Sequence, residues 1–301
     1  MTKVLVTGGA GFIGSHLSQA LLNKGYQVRV FDNLSYGHLE WVPSKAEFIR
    51  GDICDAATCH RVMSGISAVF HCAAMSRSLP SMDAIDVCSQ VNIIGTQHML
   101  TAARDAGVKK FIYSGSSTVY GNQPIPHHET TTAADCLNFY ALSKRVGEQY
   151  CLLFNKAFAL PCVILRYFNV YGPRQPVEGA YALVMGIFLH QQRLGQALQI
   201  HGTGAQRRDF IHVDDVVAAN IAALERNVQN EIFNIGSGSN VSIQELANYI
   251  SHDQVYQPRR AGDAESTLAD ISLAKERLQW QPKVPFEEGL KALMNLATSE
   301  A

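Results

Sequence analysis

Tyr140-Ala141-Leu142-Ser143-Lys144 opens a helical stretch and sets a phenol and an ammonium four residues apart. Positions i and i+4 share one helix face. An ammonium there favours the tyrosinate and lowers a phenol pKa that is ordinarily about 10, which makes a usable base near neutral pH. Ser116 lies just beyond a strand-like run, and its hydroxyl can hydrogen-bond a reacting oxygen. Y-x-x-x-K alone also decorates ordinary helix surfaces; its company upstream favours catalysis. Gly8-Gly9-Ala10-Gly11-Phe12-Ile13-Gly14 follows a strand and opens a helix. Gly8 permits a turn that a Cβ would hinder. Gly11 lets the backbone approach a pyrophosphate at the helix N-terminus, and Gly14 lets helix and strand pack closely. The spacing is G-x-x-G-x-x-G, so taken alone the cluster is also compatible with a plain tight turn. Asp32 decides between them. It ends the second strand 18 residues beyond Gly14, where a carboxylate accepts ribose hydroxyls and repels a 2′-phosphate, so the implied ligand is NAD rather than NADP. Asp52 and Ile53 follow the third strand and could meet an adenine, or Asp52 could cap a helix. Ala73 and Ala74 end the fourth, leaving room for a cofactor or simply packing.

These groups need a frame. Strand-like runs at 4–7, 27–31, 46–50, 68–71, 110–114 and 162–166 alternate with helix-like stretches near 12–24, 55–64, 86–106 and 138–157. The alternation predicts an α/β fold with a doubly wound, Rossmann-like parallel sheet, whose strand C-termini share one ligand-binding edge. After about 166 the rhythm breaks into turn-rich pieces and short helices near 180–194, 214–226, 242–251 and 285–297. That pattern predicts a smaller mixed α/β lobe. The expected division is 1–166 for the dinucleotide and 167–301 for the substrate, partly interleaved.

Composition narrows the function classes. A formal net charge of -1 gives no electrostatic footprint for nucleic acid or an anionic membrane. No apolar run approaches a bilayer span and no signal-peptide pattern opens the chain, so a cytoplasmic location is expected. Seven cysteines, at 54, 59, 72, 88, 136, 151 and 162, form no C-x-x-C and no metal-ligand spacing with histidine, so free thiols and no metal are expected.

The chain resembles the extended short-chain dehydrogenase/reductases, and within them the NAD-dependent epimerases and dehydratases of nucleotide sugars. The resemblance runs through TGGAGFIGSHL (7–17), FDNLSYGH (31–38), GDI (51–53), FHCAA (70–74), N-x-x-GT (92–96), SGSSTVYG (114–121), YALSK (140–144), RYFNVYGPRQ (166–175), GTGAQRRDFIHVDDV (202–216), NIGSG (234–238) and RAGD (260–263). It implies that Ser116, Tyr140 and Lys144 are catalytic. It places Phe12, Ile13, Asn33, Ser35, Gly37 and Tyr167 beside the cofactor with the glycines, and Asn92 and Ser114 at the nicotinamide half or its surroundings. Tyr140 and Lys144 also face the cofactor. The resemblance implies a UDP-sugar substrate. It puts Asn169 and Arg208 at the diphosphate and sugar, Arg260 and Asp263 at the diphosphate and uridine ribose, and Ser78, Val184, Gln199, His201 and Thr267 around the rest. Locally, Asn169 could instead cap a turn, Arg208 could pair with Asp209 or Asp214, and Asp263 could be a turn residue.

The resemblance also bears on the reaction. Sugar-nucleotide 4,6-dehydratases and UDP-glucuronate decarboxylases carry an acid one or two positions past the catalytic serine or threonine; here Ser117 and Thr118 stand there. That favours a 4-epimerase. Thr267, four places after Asp263, is small where hexose epimerases are bulky, which favours UDP-GlcNAc/UDP-GalNAc, with UDP-Glc/UDP-Gal as further substrates. UDP-glucuronate 4-epimerases carry an arginine where this chain has Pro176 and a threonine where it has Asn169, and rank lower. A net oxidoreductase fits the same fingerprint, and a non-enzymatic NAD sensor would normally lose part of the Ser–Tyr–Lys set. Apolar residues on several faces of 86–106 and 138–157, including Leu100, Val146, Tyr150 and Leu153, suggest either a homodimer interface or a buried intradomain face.

Overall fold

Val4, Leu5 and Val6 are all fully buried, as expected of a strand covered by helices on both faces. Because successive side chains alternate, Val4 and Val6 enter one core with Leu17 and Leu21. Leu5 enters the other with Met99, Phe111 and Phe154. A computed structural model describes residues 2–76, 78–131, 135–179, 182–259 and 264–299. Its central sheet comprises β1 (Lys3–Thr7), β2 (Gln27–Asp32), β3 (Glu47–Arg50), β4 (Ala68–His71), β5 (Lys110–Ser116), β6 (Cys162–Tyr167) and β7 (Glu231–Ile235). The order is β7-β6-β5-β4-β1-β2-β3, and every pairing is parallel. The register aligns Thr7 with both Phe31 and His71, and Ser116 with Tyr167. The predicted site residues at the strand ends thus share one edge, with the switch in strand order between β1 and β4.

The principal helices are α1 (Phe12–Asn23), α2 (Ala56–Val62), α3 (Thr96–Asp105), α4 (Phe139–Phe158), α5 (Val184–Arg193), α6 (Val213–Glu225), α7 (Ile243–Ile250) and α8 (Phe286–Ser299). The helix expected over 86–106 is not one α-helix. Ile85–Ser89 runs into a π turn at Gln90–Gly95 before α3 begins. That turn brings Gly95 so close to Ile53 that a Cβ would lie 2.7 Å from its side chain, and it turns Asn92 inward. β5 also runs two residues past the expected 110–114, so Ser116 ends the strand rather than following it.

Residues past 166 return to the sheet. β7 pairs with β6, and Val213, Val216, Val217 and Phe233 join the core that holds Val4 and Val6. A third apolar cluster, including Phe188, Leu198, Phe210, Leu246 and Leu290, organises α5, α7, α8 and short strands at Leu198–His201 and Phe210–His212. Among the described residues no helix is long and apolar enough to cross a membrane.

A buried ion pair ties α4 to β6. Arg166 on β6 donates from Nε to Glu148 Oε1 at 2.9 Å and from Nη2 to Oε2 at 2.8 Å, with side chains 4% and 1% exposed. Nη1 donates to Tyr120 Oη at 2.8 Å and to Glu129 O at 3.2 Å. Tyr120 then donates to Asn234 Oδ1 on β7 at 2.6 Å. The fork geometry satisfies the carboxylate from both sides, while a lone charge left here would be costly. Arg166→Met should lower stability by about 3–5 kcal/mol, read by urea unfolding. Pairing it with Glu148→Leu should recover most of the loss; no recovery would show that the pair's charge is not what matters.

Candidate active site

The glycine loop between β1 and α1 is shaped by contacts that forbid side chains. Gly8 holds φ at +67°, where a Cβ would lie 2.7 Å from Ala73 N; at Gly14 a Cβ would lie 2.2 Å from Gly8 O. Gly11 is the N-cap of α1, with no side-chain cap and no acidic residue in the first turn. The first-turn N–H groups, of Phe12, Ile13 and Gly14, have no intrahelical acceptor, and the dipole favours an anion over them. Asp32 closes the far side. Its Oδ2 accepts from Ala10 N at 3.0 Å and its Oδ1 from Leu34 N at 2.8 Å, which leaves a lone pair on each oxygen for a ribose hydroxyl.

A second wall forms beside it. Asn33 Oδ1 accepts from Ser35 N and Oγ at 2.9 and 2.7 Å, and Asn33 Nδ2 donates to Asp52 Oδ2 at 2.9 Å. Gly37 packs on Ala10, where a Cβ would lie 2.9 Å from the alanine Cβ. Burial raises the Asp52 pKa, but hydrogen bonds from Cys54 N–H and Asn33 outweigh it and hold the carboxyl below its ordinary range. Asp52 does not cap α2; Asp55 does, accepting from Ala57 N at 3.0 Å. Ile53 is buried beneath the π turn rather than open to a ligand. A pyrophosphate cradle that any Cβ would fill, beside a carboxylate with spare acceptors, fits NAD.

The end of β4 is fixed by a one-way hydrogen-bond chain. Thr96 Oγ1 donates to Asn92 O at 2.7 Å, so it accepts from His71 Nε2 at 3.0 Å. His71 Nδ1 then accepts from Thr7 Oγ1 at 2.9 Å, and Thr7 Oγ1 accepts from Ala73 N at 3.1 Å. Burial, helped by the Lys144 charge, pulls the His71 pKa down to about 3, so this tautomer stays neutral. Ala73, partly buried like Ala74, is thereby held over Gly8. Asn92 is 1% exposed. Its Oδ1 accepts from Met75 N at 2.8 Å, and its Nδ2 donates to Met75 O and to Ser143 Oγ, both at 2.9 Å. Its amide ties the post-β4 loop to α4 instead of opening toward a ligand.

α4 carries Tyr140 and Lys144. Asn138 caps it, accepting from Ala141 N at 2.9 Å. Ser81 Oγ accepts from Tyr140 N at 3.0 Å and donates to Ser78 O at 2.6 Å. Ser78 therefore reaches α4 through Ser81, a residue that no local pattern singles out. Lys144 is 4% exposed. Its Nζ donates to Ser114 O at 2.9 Å and lies 5.9 Å from the centre of the Tyr140 ring. Burial pulls its pKa down to about 8, although nearby thiols and Glu148 oppose this. Ser114 Oγ lies 3.2 Å from Tyr167 Oη, which donates to Asn220 Oδ1 at 3.0 Å. Ser116 and Tyr140, 7% and 9% exposed, complete the edge above the cradle. Ser116 Oγ accepts from Thr118 Oγ1 at 2.9 Å and from Thr118 N at 3.3 Å.

Farther along the chain, three of the predicted substrate residues are grouped around Asp209. Its buried carboxylate accepts from Ser237 N and Oγ, Gly238 N and Ala269 N at 2.7, 2.8, 3.2 and 3.0 Å. Burial raises its pKa while these donors pull it back. Asp209 N donates to Thr267 Oγ1 at 3.1 Å. Asn169 Nδ2 donates to the same oxygen at 3.3 Å and to Asp209 O at 3.0 Å. Arg208 ends the two-residue strand Arg207–Arg208 and donates from Nη1 to Arg207 O at 3.0 Å. Gln199 and His201 lie on one face of the Leu198–His201 strand, where His201 Nδ1 lies 3.1 Å from Pro258 O. Val184 begins α5. Arg260 and Asp263 lie outside the described residues.

A family profile described as "NAD dependent epimerase/dehydratase family" matches residues 4–236. The UDP-glucose 4-epimerase of Mycolicibacterium smegmatis is 35% identical over 306 residues, covering 96% of each chain. The Thermotoga maritima UDP-glucose 4-epimerase solved with UDP-glucose is 37% identical, with a TM-score of 0.95 and 99% of each chain covered. The Methanobrevibacter ruminantium UDP-N-acetylglucosamine 4-epimerase, solved with UDP-N-acetylmuramic acid, is 34% identical with a TM-score of 0.94, covering 100% of this chain and 99% of its own. Asp32→Ala should raise the Kd for NAD at least tenfold, since a hydrogen bond to a charged group contributes about 1.5–3 kcal/mol. It should also narrow the preference over NADP. Calorimetric titration with each dinucleotide checks this, and an unchanged NAD affinity would remove Asp32 from the ribose site.

Proposed function

This chain belongs to the NAD-dependent epimerase/dehydratase family, and from that premise we propose that it inverts C4′ of UDP-sugars. The observation that carries this reading is the Ser116–Tyr140–Lys144 edge set over the glycine cradle, with a threonine rather than an acid hydrogen-bonded to Ser116. Bound NAD supplies the hydride acceptor and donor for C4′. Tyr140, as phenolate, takes the 4′-hydroxyl proton and later returns it, with the Lys144 ammonium stabilising the phenolate. Ser116 donates to O4′ and holds the 4-keto sugar. The sugar turns about its diphosphate link, which Asn169 and Arg208 hold together with Arg260, while Asp263 takes the uridine ribose. The ring then presents its opposite face. With no acid beside Ser116 to expel a hydroxyl, no dehydration competes.

Thr267 supports the choice of sugar. It is small where hexose epimerases are bulky, and it is held against Asn169 and Asp209, a reading that favours an N-acetyl group. UDP-GlcNAc/UDP-GalNAc is therefore the preferred pair, with UDP-Glc/UDP-Gal accepted. The similarity to both a UDP-glucose and a UDP-N-acetylglucosamine 4-epimerase is consistent with that breadth. UDP-glucuronate ranks lower, because Pro176 offers its carboxylate no partner. A homodimer is also proposed. Leu100 is spent in the core, but Val87, Leu142 and Leu153 are 52, 44 and 55% exposed on adjacent helices, and light scattering after size exclusion reads the mass directly.

Incubation with UDP-Glc, UDP-GlcNAc and UDP-GlcA separately, followed by NMR of C4′, tests the reaction. Inversion of UDP-GlcNAc without release of NADH is expected; accumulation of free NADH would point to a net oxidoreductase. Tyr140→Phe should lower kcat by about 10²–10⁴. Thr267→Tyr should abolish inversion of UDP-GlcNAc while sparing UDP-Glc. Lys144 carries its charge below its pKa of about 8 and loses it above, so kcat/KM should fall on an alkaline limb near pH 8. A flat profile to pH 10 would contradict the role given to its ammonium.

A further inference from the structure

Ser116 is surrounded in a way that settles the direction of its hydrogen bond. A serine hydroxyl has one proton and two acceptor sites. Ser116 Oγ already accepts from Thr118 Oγ1 at 2.9 Å and from Thr118 N at 3.3 Å. Both acceptor sites are filled from within the same 3₁₀ turn, Ser117–Tyr120, of which Ser116 is the N-cap. That turn is anchored at its far end, where Tyr120 Oη joins Arg166 and Asn234, so Thr118 cannot easily swing away. Only the Ser116 proton remains free. We propose that Thr118 is a positioning residue that makes Ser116 an obligate hydrogen-bond donor to O4′ of the UDP-sugar.

This inference rests on the 4-epimerase reading, and it explains something that reading leaves open. The sugar's 4′-hydroxyl can donate its proton either to Tyr140 or to a serine oxygen with a vacant lone pair. The second arrangement is unproductive, because it points the proton away from the base. With both Ser116 lone pairs occupied, the 4′-hydroxyl has Tyr140 as its acceptor in the edge, and Ser116 can only donate to O4′. The same donation stabilises the oxygen as its proton leaves, and it holds the ketone until the hydride returns. A second consequence follows from polarisation: accepting two hydrogen bonds makes the remaining O–H a stronger donor. The hydroxyl of Thr118 serves here as a donor to a neighbour, a role no carboxylate at that position could fill in its ionised form.

The test is a double-mutant cycle on the holoenzyme, with NMR of C4′ inversion as the assay. Thr118→Val removes the hydroxyl while keeping the branched shape and the backbone N–H, and it should lower kcat about tenfold with KM nearly unchanged. Thr118→Ser should restore kcat to within about twofold. In a Ser116→Ala background, Thr118→Val should cost nothing further, since its only effect runs through the serine. Should Thr118→Val fold poorly by thermal melting, Thr118→Ala provides the same comparison. Wild-type kcat in Thr118→Val overturns the inference, as does a double variant whose loss equals the product of the single losses. Absence of C4′ inversion in the unaltered protein would instead overturn the reaction assigned to the chain, and this inference with it.

Discussion

The bidentate bond between Arg166 and Glu148 is the contact on which the site's geometry depends. Glu148 lies one helical turn beyond Lys144, on the same face of α4, so fixing its carboxylate fixes the rotation of that helix about its axis. Arg166 sits on β6, opposite Gly115 of β5, one residue from Ser116. A single guanidinium therefore sets the helix that carries Tyr140 and Lys144 against the strand that carries Ser116. Through Tyr120 it also reaches the turn containing Thr118. Desolvating two charges is expensive and adds little net stability compared with apolar packing. Here the arrangement gives direction: an apolar contact between α4 and β6 would tolerate small rotations, whereas a two-pronged hydrogen bond does not.

A second constraint works on the same face of the sheet, nearer β1. The chain from Ala73 through Thr7, His71 and Thr96 to Asn92 has one possible proton arrangement, and Asn92 carries it on to Met75 and Ser143. The glycine loop and α4 are thus coupled through neutral groups. Both networks are buried and fully satisfied where described, which rigidifies the site more than their summed pair energies suggest.

How much of this could be read from the sequence depends on the range of the interactions. The glycine loop, Asp32 and the Tyr140–Lys144 pair were legible because their chemistry is local: a turn, a helix start and an i, i+4 spacing. The sheet followed from alternating apolar runs, apart from β7, which pairs with β6 from far along the chain. Ser81, His71 and Asp209 were not legible as site-forming groups, because each acts through contacts that only folding creates. Ser81 meets Tyr140 across 59 residues, and Asp209 meets Ala269 across 60. Asp52 and Asp55 show the local version of the difficulty. Asp52 reads locally as a helix cap, and the folded backbone uses Asp55, three residues on, instead.

The position of β7 has a consequence for how the molecule comes into being. Its residues lie beyond α5 and α6, yet they cover the edge of β6, the strand next to β5. A nascent chain that has emerged only as far as residue 166 would present β6 as a bare edge, a row of unpaired N–H and C=O groups open to pairing with another chain. The sheet closes only when residue 235 arrives. The parallel pairing of distant segments that results is of the kind that folds slowly. The cofactor edge and the substrate elements are consequently born together, and neither can mature on the ribosome before the other has been made.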